Sequence, residues 1–210
     1  MLAKEEDAGI MKALVTGFEP FGGATVNASI EAVRRLPPRI GALEIVTAEL
    51  PVSYARSLPA LQAAIARADP ALVLCVGQAE DRAALCVERV AVNLQYARIP
   101  DNDGAQPVDA PVVAGGPAAY LATLPVRAAV AALHAAELPA QLSMSAGTFV
   151  CNHLFYGLMR LAAGRKPDLH GGFLHVPCLP GQAAPGAASM ALDDVARGIG
   201  IVLEAAVANR

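Results

Sequence analysis

Covalent acyl transfer needs a nucleophile, a proton carrier and a group that orients the carrier. Cys151 is the first candidate nucleophile in this chain of 210 residues. Residues 145–159 read SAGTFVCNHLFYGLM, a β-prone stretch followed by Leu154, Phe155, Leu158, Met159 and Ala162 at helical spacing. Cys151 is therefore expected at a helix N-terminus, where unpaired N–H groups and the helix dipole favour anionic sulfur and can hold an oxyanion. The plain alternative is a small buried cysteine with no chemistry.

A thiolate needs an imidazole to share its proton and later protonate a leaving amine. His153 is nearest, but residues two apart on a helix face different ways. His134 lies in an Ala-rich helical stretch and is expected on the surface, and His170 lies in a polar turn. His175 follows a β-prone run and is expected near the carboxyl end of a strand, where ligands bind in open α/β sheets. A carboxylate would complete the set. Glu88 opens an alternating run, yet by residue type Glu80, Asp81, Asp101 and Asp103 are equally eligible, and an exposed ion pair is the commoner fate of such groups.

The elements that must position these groups alternate between apolar β-rich runs and Ala-rich helical ones, the pattern of an α/β fold with a largely parallel sheet. Strands are expected at 12–16, 44–50, 71–76, 90–94, 141–145 and 172–176, and helices at 28–36, 54–68, 125–137, 153–163 and 189–207. Pro59 should kink the second helix or delay its start. ALVLCV at 71–76 is apolar throughout, as in a strand covered on both faces. The Pro/Gly-rich stretches 100–117 and 177–188 are expected as long loops.

A net charge of −3 argues against a nucleic-acid or anionic-membrane surface, and no apolar run approaches a membrane span. The four cysteines lack CxxC spacing and read as free thiols, and the four histidines are too scattered for a zinc site. No P-loop, HExxH or dinucleotide fingerprint occurs, so the metal and nucleotide readings start weak. Residues 1–10 lack the apolar core of a secretion signal and read as an alternative start or a disordered lead-in before Met11. Residues 11–210 suit a single catalytic domain, with the cytosol as the expected address.

Six blocks resemble, in order, the pyroglutamyl peptidase I family (pyrrolidone-carboxylate peptidases). They are Gly17-Phe18-Glu19-Pro20-Phe21-Gly22-Gly23, Cys75-Val76-Gly77-Gln78, Glu88-Arg89-Val90-Ala91-Val92-Asn93, Ala97-Arg98-Ile99-Pro100-Asp101-Asn102, Gly147-Thr148-Phe149-Val150-Cys151-Asn152-His153 and Phe173-Leu174-His175-Val176-Pro177-Cys178-Leu179-Pro180. The resemblance implies a three-layer α/β/α sandwich and a thiol exopeptidase acting on peptides with N-terminal pyroglutamate. It implies Cys151 as nucleophile, His175 as base and Glu88 as acid, a homotetramer, and no cofactor. Phe18 and Phe21 resemble the family's ring-stacking residues, Gln78 a pocket residue, and Arg98 an arginine near the nucleophile. Asn27 is expected to cap the first helix.

The chain departs from the family at Ala79–Val87, where a Gly-rich, Thr-containing stretch is usual, at Asn27-Ala28-Ser29 in place of Asn-Pro-Ser, and at Gln95-Tyr96 in place of paired acidic residues. These changes bear on the pocket rim and subunit contacts and touch none of the implied catalytic positions. They leave two alternatives: a thiol amidase for another acyl or lactam group, and a catalytically silent protein that binds pyroglutamyl peptides.

Overall fold

The computed structural model describes residues 11–80, 82–164, 168–184 and 187–209. The lead-in at 1–10 and Asp81 lie outside the described residues. The elements are β1 (Met11–Phe18), α1 (Ala28–Arg34), β2 (Arg39–Ile40), β3 (Leu43–Leu50), α2 (Ser57–Ala68), β4 (Leu72–Gln78), β5 (Leu85–Glu88), β6 (Val90–Val92), β7 (Ala119–Leu121), α3 (Val126–Ala135), β8 (Ala140–Ser143), α4 (Val150–Gly164), β9 (His170–Val176) and α5 (Leu192–Ala208).

Seven strands form one sheet in the order β2-β3-β1-β4-β9-β5-β8, and β6 pairs with β7 in a separate ribbon. β3, β1, β4 and β9 run parallel. β5 runs antiparallel to β9 and parallel to β8, so the sheet reverses direction at the β9–β5 boundary. Successive residues of β9 face opposite layers: a Cβ on Gly171 would meet Leu158 of α4, and one on Gly172 would meet Leu124 just ahead of α3. α5 packs on α1 and α3, and α2 packs on α4, which gives the helical layers of a mostly parallel α/β sandwich.

Local chemistry accounts for the boundaries. β4 is buried at every position, as its unbroken apolar run requires. α2 begins at Ser57, so Pro59 falls in the first turn, where its missing N–H breaks no intrahelical bond. Asn27 caps α1 by accepting the Ser29 N–H. α4 starts at Val150, three residues ahead of the expected His153, and Cys151 is its second residue. The expected strand 90–94 divides instead: Glu88 closes β5 in the main sheet, while Val90–Val92 belongs to the ribbon. His170 opens β9 and is not in a turn. No helix among the described residues is long and apolar enough to cross a membrane.

Candidate active site

Three adjacent central strands and one helix start bring the candidate groups together. His175, near the end of β9, lies beside Gly77 of β4 on one side and Cys86 of β5 on the other. Glu88 ends β5 opposite Phe173, two residues before His175 and therefore on the same face of the sheet. His175 Nδ1 is 2.8 Å from Glu88 Oε1. The Cys151 thiol lines the same cavity as the imidazole and acts on its protonation. Gly77 makes room for that approach: a Cβ there would lie 2.8 Å from Cys151 Sγ.

The electrostatics follow from burial. Glu88 is fully buried, and its Oε2 has no hydrogen-bond partner among the described residues, so the carboxylate is directed at His175 alone. Burial of His175 opposes its positive form, but the hydrogen bonds and charges of Cys151 and Glu88 outweigh burial and raise its pKa to about 9. Cys151 is half-buried and sits in the first turn of α4, whose N–H groups lack intrahelical acceptors. Cys75, Cys86 and Cys178 are buried, and desolvation raises the thiol of each, that of Cys75 to about 12.

Cys151 and His175 line a cavity of about 900 Å³ together with Phe18, Phe21, Gln78, Arg98 and Phe149. Gly22 and Gly23 both have positive φ, 62° and 82°, so the chain turns tightly just after Phe21. Gln78 is buried, with Oε1 accepting the Ala28 N–H at 2.7 Å and Nε2 directed at Cys178 Sγ. It therefore ties the N-terminus of α1 to the cavity wall. Arg98 is exposed at the cavity and makes no ion pair with Asp101 or Asp103. Asp103 pairs with Arg56 at 2.7 Å. The Asp101 carboxylate accepts N–H groups from Tyr54, Asp103 and Ala105.

The other candidates fall elsewhere. His153 is buried, with Nδ1 3.1 Å from Gln95 Oε1, and desolvation lowers its pKa to about 4. His134 is exposed and contacts the Ala140 carbonyl. Glu80 lines the cavity without meeting an imidazole, and Asp101 organises its own loop. Among the described residues, no group of three or more His, Cys, Asp or Glu side chains could hold a metal ion.

Sequence reasoning did not single out Phe149, Gly77 or Tyr54. Phe149 stands two residues before Cys151, so its neighbourhood was a usable signal, and its ring lies 6.2 Å from that of Phe21. Tyr54 is remote in sequence and left no such trace.

A buried acid, an imidazole and a thiol thus stand together beside a partly apolar cavity. Residues 11–209 match the family model for pyroglutamyl peptidase. The chain is 48% identical over 191 residues to the pyrrolidone-carboxylate peptidase of Streptococcus pyogenes serotype M5 (strain Manfredo), covering 90% of this chain and 89% of that one. The crystal structure of Bacillus amyloliquefaciens pyroglutamyl peptidase I superposes with a TM-score of 0.90 at 44% identity, covering 95% of this chain and 98% of that one. Pyrrolidone carboxyl peptidase from Thermococcus litoralis gives 0.90 at 35% identity, with 94% of each chain covered. The chain belongs to the pyroglutamyl peptidase family.

Proposed function

We propose that this chain is a cysteine peptidase that hydrolyses the amide bond after an N-terminal pyroglutamyl residue, with Cys151 as nucleophile, His175 as acid–base and Glu88 as its orienting carboxylate. The series from Glu88 through His175 to Cys151, placed at a cavity of about 900 Å³ in a chain of this family, is the observation that carries this reading.

The Cys151 sulfur, having given its proton to His175, attacks the pyroglutamyl carbonyl carbon, and the carbonyl oxygen becomes an oxyanion. First-turn N–H groups of α4 and the Arg98 guanidinium face that charge. The imidazolium passes its proton to the amide nitrogen, the C–N bond breaks, and the shortened peptide leaves as an amine. A pyroglutamyl thioester remains on Cys151. Water then attacks the thioester, giving a proton to His175, and cleavage of the C–S bond releases pyroglutamate and restores the thiolate–imidazolium pair.

Pyroglutamate is a neutral five-membered lactam with no free α-ammonium group. Its recognition calls for flat apolar walls and a few amide-directed hydrogen bonds. Phe18 and Phe21 supply the walls, and the second hydrogen of Gln78 Nε2 supplies a donor for the lactam carbonyl. The proposal includes a single catalytic domain over residues 11–210, a cytosolic address and assembly as a homotetramer. Sedimentation equilibrium measures the last directly.

The test is release of a fluorescent amine from its pyroglutamyl amide, with the prolyl amide as control. Turnover of the pyroglutamyl amide alone is expected. Turnover of neither, by freshly reduced protein, would overturn the peptidase reading.

A further inference from the structure

Cys151 is flanked by residues that meet at one side chain outside the cavity. Tyr54 lies between β3 and α2, and its ring stands edge-on to Phe149 at 5.7 Å and 86°, and to His153 at 5.4 Å and 85°. These two residues are placed two before and two after Cys151. The Tyr54 hydroxyl donates to the Thr148 carbonyl at 3.3 Å. The same carbonyl accepts the Tyr96 N–H at 3.1 Å, and the Thr148 hydroxyl donates to the Tyr96 carbonyl at 2.8 Å. Tyr54 is itself anchored, because its backbone N–H donates to Asp101 Oδ2 at 2.8 Å.

Thr148 and Phe149 line the cavity, whereas Tyr54 stands behind them. Burial and the nearby Asp101 and Cys151 charges raise the Tyr54 phenol, which keeps it a neutral donor to Thr148. His153 is buried with Nε2 unpartnered among the described residues, an arrangement that costs stability, and its ring packs nearly perpendicular to that of Tyr54.

We propose that Tyr54 is a positioning residue for the nucleophile-bearing turn: its ring, wedged between Phe149 and His153, fixes the start of α4 and with it the Cys151 sulfur and the first-turn N–H groups, without touching substrate. This rests on the acyl-transfer reading above. A misplacement of 1 Å at reacting atoms costs on the order of 10²-fold in rate. The strut therefore acts mainly on kcat. Because the ring carries most of the contact, the hydroxyl is the lesser part.

The test compares Tyr54→Leu, Tyr54→Phe and Leu203→Ala, the last a core substitution in α5 that lowers stability from the helical layer opposite α4, where α5 packs on α1 and α3. Tyr54→Leu is expected to lower kcat on the pyroglutamyl amide tenfold or more with KM changed less than threefold. Tyr54→Phe should stay within about threefold of the native rate, and Leu203→Ala should keep the native kcat below its melting temperature. If Tyr54→Leu fails to fold, Tyr54→Met takes its place. The rate at which iodoacetamide alkylates Cys151, followed by peptide mapping, gives a second readout that needs no pyroglutamyl turnover. It should change at least threefold in the Leu variant and not in the Phe variant. Were the native protein inactive on the amide, the proposed function would fall and alkylation alone would judge the strut. Native kcat and alkylation rate in Tyr54→Leu, equal kcat losses in Tyr54→Phe and Tyr54→Leu, or an equal loss in Leu203→Ala would each overturn it.

Discussion

His175 sits between a carboxylate that has no other partner and a sulfur that carries negative charge when it attacks, and both favour its protonated form. On the proposed mechanism, His175→Ala removes both the proton acceptor and the donor to the leaving amine. A fall in kcat of about 10²–10⁴ is expected, and retention of most activity would reassign the base. With its pKa raised to about 9, the imidazolium is present at neutral pH and is lost as pH rises through that value. kcat/KM should therefore decline on the alkaline side with an apparent pKa near 9. Glu88→Gln removes one of the two charges that raise His175, so it should move the alkaline limb to lower pH. A pH–rate profile unchanged in that variant would separate Glu88 from His175 titration.

At the level of elements, the site depends on how closely β4 approaches the start of α4. Gly77→Ala would set a Cβ 2.8 Å from Cys151 Sγ and 2.9 Å from Phe173 Cζ. Overpacking of this kind costs about 1–3 kcal/mol. We expect that loss in urea denaturation together with a tenfold or larger fall in kcat, and native kcat would show that the thiol has room to spare. Most elements were legible from apolar periodicity and β-prone composition, and β4 was the clearest because its run is apolar throughout. The division between β5 and β6 was not legible. Leu85–Val92 continues without a turn signal, and only the partners differ: β9 and β8 for one, β7 for the other. The choice of Glu88 over its rivals has the same origin. Residue type left several carboxylates open, and register opposite β9 brings Glu88 to His175. Tyr54 was invisible for the complementary reason, since it reaches the nucleophile through tertiary packing alone.

Across the whole molecule, two buried histidines shift in opposite directions and bound the pH range of stability. His153, lowered to about 4, favours the fold while neutral, and this contribution is lost as pH falls from its unfolded value of about 6.5. At most about 3 kcal/mol is involved. His175, raised to about 9, favours the fold while protonated, and its contribution is lost as pH rises from about 6.5 through 9. Unfolding free energy should therefore decline on both sides of roughly pH 6.5, and His153→Gln should flatten the acid side only. A native acid-side slope in that variant would remove His153 from the account. The parallel sheet, the reversal at β5 and the helical layers together serve to set one thiol against one imidazole. Rapid quenching of the reaction with a pyroglutamyl amide, followed by intact mass measurement and peptide mapping, tests that centre most directly. A pyroglutamyl thioester on Cys151 that forms and decays at the turnover rate is expected, and turnover with no acyl group on Cys151, or with the group on Cys75, Cys86 or Cys178, would contradict it.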